Sequence, residues 1–122
     1  MATNRIKHLG AIAALILMGL FAYWNSEIRI RRLLESEDFN DLMYGTYLAG
    51  ESGNEDFVPM LLNNPQDNRT STQIRFKGFS VYYGKMIALK KIYSVNPPVA
   101  ITQEPDSMVI GFYENLYNDK LR

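Results

Sequence analysis

Leu9-Gly10-Ala11-Ile12-Ala13-Ala14-Leu15-Ile16-Leu17-Met18-Gly19-Leu20-Phe21-Ala22-Tyr23-Trp24 is a run of sixteen residues with no charge, amide or hydroxyl before the phenol of Tyr23. As a helix it would cover about 24 Å of a hydrocarbon core about 30 Å thick. The shortfall is met by snorkelling: Lys7 and His8 precede the run, and Arg29, Arg31 and Arg32 follow it within reach of head groups. Tyr23 and Trp24 stand where an interfacial aromatic belt belongs, with an apolar body in lipid and a polar tip in water. The run therefore reads as a retained single-pass transmembrane helix, contacting membrane lipid from Leu9 to Trp24.

Two other readings compete. A secretory signal peptide would use Arg5 and Lys7 as its basic region, but a cleavage site needs small residues spaced as in Ala-x-Ala. After Leu20 the chain offers Phe21-Ala22-Tyr23-Trp24-Asn25-Ser26. The retained anchor is preferred, and an exported soluble binding protein with a cleaved leader is the alternative. A buried helix of a soluble protein is disfavoured, because the rest of so small a chain could hardly surround a helix that is apolar on every face. Arg5, Lys7 and the terminal amine balance Arg29, Arg31 and Arg32 across the run. Orientation therefore leans to an external, periplasmic or extracytoplasmic domain only on the shortness of the N-terminal tail.

Composition narrows the function. Thirteen basic and thirteen acidic residues leave no net charge, which disfavours a nucleic-acid partner. The absence of cysteine removes disulfides, thiolate nucleophiles and Cys-containing zinc sites together. His8 is the one histidine and lies at the edge of the anchor, so a Ser-His-Asp or Cys-His mechanism is not assembled further along. Glu35, Glu37, Asp38 and Asp41 are dense enough to raise a metal site. Their place near a helix start favours capping and solvation, and they form no Asp-x-Asp-x-Asp-Gly loop. The expectation is a protein that is not an enzyme, with no catalytic residue, metal or cofactor.

Beyond the anchor the pattern is helical. Ile28, Ile30, Leu33 and Leu34 interleave with Arg29, Arg31 and Arg32, so the anchor helix is expected to continue as a basic juxtamembrane extension. The three arginines are candidates for lipid head groups, beside the plainer role of a topology-setting flank. Ser36-Glu37-Asp38 reads as a helix start, followed by an apolar stripe of Phe39, Leu42, Met43, Thr46 and Tyr47. Gly50 to Gly53 ends that helix. Asn54 caps another whose buried face is Phe57, Val58, Leu61 and Leu62, with Pro59 tolerated near its first turn.

Thr70 and Gln73 make a possible capping box for a helix over Ile74–Tyr93, in which Phe76 and Phe79 are expected in the core. A hairpin turning at Gly84-Lys85 is the alternative there. Glu104-Pro105-Asp106 opens a last helix, with Pro105 at its first position and Met108, Val109, Phe112, Tyr113 and Leu116 facing inward. Tyr82, Tyr93 and Tyr113, whose hydroxyls tolerate water, are candidates either for the core or for binding a partner.

Gly50-Glu51-Ser52-Gly53-Asn54-Glu55-Asp56-Phe57-Val58-Pro59-Met60-Leu61-Leu62 resembles the junction of a short HEAT-type repeat of the phycobilisome-lyase kind. That pattern has an acidic turn followed by Ala-Val-Pro and paired leucines. Gln73-Ile74-Arg75 and Ala88-Leu89-Lys90-Lys91-Ile92 are similar to the opening and ending of a next repeat, although Lys90 stands where glycine is usual. The resemblance covers about half the chain and implies a helical protein-binding module without an activity of its own.

The fold expected is all-α. Residues 1–34 form a tail, a transmembrane helix and a juxtamembrane extension, and residues 35–122 a small helical domain of about two HEAT-like helix pairs. The function expected is that of a scaffold, an adaptor or accessory subunit that meets an unidentified protein partner in a larger membrane or envelope assembly.

Overall fold

A computed structural model describes residues 2–70 and 78–121. Among them lie five α-helices and no strand: α1 (Ala2–Leu34), α2 (Phe39–Ser52), α3 (Val58–Leu61), α4 (Val81–Tyr93) and α5 (Ser107–Lys120). A single turn of 3-10 helix over Glu55–Phe57 leads into α3. The all-α class expected from the sequence is the class observed.

Helix α1 is long and apolar enough to cross a membrane. From Arg5 to Ser26 every side chain on it is exposed, and only its last turns join the rest of the molecule. There Ile30 and Leu34 are buried in the common core. No proline interrupts the thirty-three residues, so the apolar stretch and the core segment share one axis.

Helix α2 starts at Phe39, later than Ser36 suggested. Asp38 is the cap, its carboxylate accepting from the Asp41 amide at 3.1 Å. The Ser36 hydroxyl instead accepts from the Asp38 amide and donates to the Asp41 carboxylate. Leu42, Met43, Gly45, Thr46, Ala49 and Gly50 make its inner stripe, while Tyr47, expected inside, is exposed. A Cβ on Gly45 would stand 2.7 Å from the Leu33 Cβ, and one on Gly50 would stand 2.9 Å from the Ala88 Cα. The two glycines are what let α2 pack closely against α1 on one side and α4 on the other.

The second expected helix is short. Asn54 caps the 3-10 turn by accepting from the Asp56 amide at 2.9 Å, and Pro59 falls in the first turn of α3, where it costs no hydrogen bond. Phe57, Val58 and Leu61 are buried as their spacing implied.

Helix α4 does not run from Ile74. Gly78 is left-handed (φ 76°) and Ser80 is extended, which breaks any helix arriving from upstream. Ser80 then caps α4 by accepting from the Tyr83 amide at 3.0 Å. Gln73, Ile74, Arg75 and Phe76 lie outside the described residues. The hairpin alternative fails at Gly84 and Lys85, which are in the body of α4.

The first amides of α4 find unusual partners. Val81 donates to the Arg69 carbonyl at 2.9 Å and Tyr82 to the Asp67 carbonyl at 2.7 Å, while Ser80 donates twice to Gln103, from its amide to the side-chain Oε1 and from its hydroxyl to the carbonyl. Helix starts leave four amides without intrahelical acceptors; here two distant loops supply three of them and the Ser80 hydroxyl the fourth.

Helix α5 is capped by Asp106, and Pro105 precedes the cap instead of opening the helix. Val109, Ile110 and Tyr113 face inward, whereas Met108, expected with them, is exposed. Phe57, Leu61, Tyr82, Met86, Leu89 and Tyr113 are the largest wholly buried side chains. Each contributes about 1.5–3 kcal/mol by leaving water, against the entropy of ordering the chain.

Candidate interaction surface

The three tyrosines put forward as partner-binding candidates do not form a surface. Tyr82 is wholly buried, and burial pushes its phenol above the ordinary value. Tyr113 is wholly buried too; its hydroxyl donates to the Val95 carbonyl at 3.0 Å, and its pKa is pushed up to about 12 by loss of solvent. Tyr93 is half-buried, stacked on Tyr113 with ring centroids 6.3 Å apart and covered by the Lys120 ammonium at 5.0 Å. Lys120 also pairs with Glu55, so this cluster ties α4, α5 and the 3-10 turn ahead of α3 together. A core with few residues to draw on takes the largest rings available.

The arginines divide. Arg31 pairs with Glu27 at 3.2 Å, lies over the Phe57 ring and reaches the Met60 sulfur at 3.9 Å. Arg29 lies over the Tyr44 ring at 5.4 Å. Both guanidinium groups are thus turned toward the domain, and Arg32 alone of the three is exposed with no partner among the described residues.

What the structure does offer is a groove of about 590 Å³ between α2 and α4. Its floor is Met43, Thr46, Gly84 and Ala88; its walls are the rings of Tyr44, Tyr47, Phe79 and Tyr83; Lys91 closes one end. Phe79, expected in the core, is exposed on the rim and tilts against Tyr83 with centroids 4.9 Å apart. Tyr47 is 52 % exposed and lies under the Lys91 ammonium, which pairs with Glu51. In the floor the Thr46 hydroxyl is buried without a hydrogen-bond partner among the described residues. Mostly apolar and aromatic lining with one or two convergent polar groups is the usual make-up of a recognition pocket. The spacing that puts Tyr47 in the apolar stripe of α2 hid this feature.

A second, more open cleft of about 1030 Å³ lies on the opposite flank of α4, beside the segment that follows α3. Lys85 is only 4 % exposed there, and its ammonium donates to the Asn63 carbonyl at 2.6 Å and the Asn64 carbonyl at 3.4 Å. Burial holds its pKa below the usual lysine value. Asp67, whose side chain is 6 % exposed, is committed to Arg69 through bonds of 2.6 to 3.1 Å. Lys85, Asp67 and Arg69 thus fasten the segment that follows α3.

No protein-family model matches the chain, and no curated protein or solved structure is significantly similar to it.

Proposed function

We propose that the protein is a membrane-anchored interaction module, an adaptor or accessory subunit that holds a small helical domain beside a bilayer for a protein partner, and that it performs no chemistry of its own. The observation that carries this reading is α1 itself, which passes without a break from an exposed apolar stretch into the buried positions Ile30 and Leu34. A sleeve of exposed Leu, Ile, Met and Phe is far larger than a soluble surface carries, and lipid is the solvent that suits it.

The aromatic groove between α2 and α4 supports the partner-binding half of the reading, because exposed Tyr and Phe around a pocket are the residues on which binding energy concentrates. The resemblance of Phe57-Val58-Pro59 and Leu61-Leu62 to the second helix of a short HEAT repeat points to the same class of function. The lone histidine, His8, argues against catalysis.

Alkaline carbonate extraction of membranes from cells making the intact chain tests the anchor. The protein should stay with the pellet, and mass spectrometry should find an N-terminus ahead of Ala22. Release into the supernatant, or a chain starting at or beyond Ala22, would replace the anchor with a cleaved leader. Because the chain lacks cysteine, Ser107→Cys gives one labelling site, and reaction with an impermeant maleimide on intact cells should place the domain outside.

A further inference from the structure

The position of the groove, its charge and its floor together describe an occupant. Tyr44, which forms part of one wall, lies under the guanidinium of Arg29, and Arg29 is five residues beyond Trp24 on the same unbroken helix. That is about 8 Å along the axis from the aromatic belt, so the groove stands at head-group height. Its two ends carry Arg29 and Lys91 against the single carboxylate of Glu51. The floor is closed by α2 itself, with Met43 and Thr46 lying over Gly84 and Gly50 packed on Ala88, so an occupant meets an apolar base between the ring walls.

We propose that the α2–α4 groove receives a juxtamembrane helix of another protein embedded in the same membrane. The incoming helix presents an apolar face and one acidic residue that meets Arg29 or Lys91. This rests on the anchored, partner-binding reading above and adds the place and chemistry of the contact. A helix laid by its apolar face into such a groove is a recurrent mode of recognition. Charge complementarity fixes its register more than its affinity.

The test is photo-crosslinking of the full-length chain in the membranes of its own cells, with benzoylphenylalanine replacing Tyr47 in the groove or Met108 on exposed α5. The Tyr47 position should give one discrete protein adduct, and sequencing of the crosslinked peptide should place it next to a transmembrane segment and show an acidic residue beside an apolar stripe. Phe79→Ser should lower adduct yield at least about tenfold, as expected for an aromatic anchor. Lys91→Glu should lower it roughly fivefold, as for loss of an exposed charge pair. Gly84→Leu, which fills the groove, should abolish the adduct; helix content by circular dichroism separates this from unfolding, and Phe79→Ser serves as the independent variant if Gly84→Leu fails to fold. Adducts with lipid, with a second copy of this chain or with a soluble protein would overturn the proposal. An adduct from Met108 and none from Tyr47 would overturn the groove and leave the interaction module standing. Silence at both positions would remove both.

Discussion

The ammonium of Lys85 donates to the carbonyl of Asn63 at 2.6 Å from a side chain that is almost completely enclosed. One residue of α4 thereby holds the chain leaving α3, where Asn64 adopts a positive φ of 48° and the helix carbonyls run out of amide partners. Lys85→Met keeps the apolar stem and removes the donor. It should cost about 1.5–3 kcal/mol in thermal or urea unfolding, the range for a hydrogen bond to a charged group.

The same lysine gives a pH signature. Its pKa is lower folded than unfolded, chiefly because burial penalises the charge. Between the folded value and 10.5 the unfolded chain binds the extra proton, so the contribution of Lys85 to stability rises with pH across that window. In Lys85→Met this rise should be missing when melting temperatures are compared from neutral to alkaline pH.

Asp67 behaves in the opposite sense. The Arg69 side chain holds its carboxyl below the usual range, outweighing burial. The stability this brings is complete above the unfolded value of 3.8 and is lost as pH falls through the folded one. Asp67→Asn should be less stable than the parent at pH 7, and the two melting curves should converge in acid.

Tyr113 controls the alkaline limit. With the phenol at about 12 when folded against 10.0 when unfolded, the folded state keeps its proton longer, so stability declines as pH rises through that interval. Tyr113→Phe should lessen the decline in that interval, the raised phenols of Tyr82 and Tyr93 keeping the rest. At neutral pH it should cost about 0.5–1.5 kcal/mol for the lost bond to the Val95 carbonyl.

Gly45 is where α1 and α2 come closest. Gly45→Ala forces a Cβ to within 2.7 Å of Leu33 and 3.0 Å of the Leu34 amide, so the helices must part. A loss of about 1–3 kcal/mol is expected from such overpacking, read as a lower melting temperature. Gly53→Ala, at a left-handed helix end with open space around it, should cost about 1 kcal/mol through backbone strain alone.

The helical class was legible in the sequence because apolar periodicity and punctuation agree: Asn54, Gly53 and Pro59 all act as their chemistry dictates. Boundaries were less so. Ser36 lost the cap to Asp38 because its hydroxyl accepts from the Asp38 amide, ahead of the helix, and the Asp41 amide goes to the Asp38 carboxylate; α4 began at Val81 because its start is set by Arg69, Asp67 and Gln103, all remote in sequence. The groove was hidden for a related reason. Periodicity marks a helix face, but which rings of that face stay outside depends on where the neighbouring helix crosses, and Gly50 against Ala88 decides that only in three dimensions. Tyr82 and Tyr113 illustrate the converse, since a phenol compatible with water went inside.

Under the anchored reading proposed above, α1 ends inside the core with Ile30 and Leu34 as its clamps, which leaves no swivel between lipid and domain. A bilayer that leans this helix by about 20°, an ordinary tilt, swings the whole domain with it like a flag fixed to its pole. Leu34 is ten residues past Trp24, so that lean moves the clamp sideways by about 5 Å. Membrane thickness thus becomes a setting of the angle at which the domain greets its surroundings.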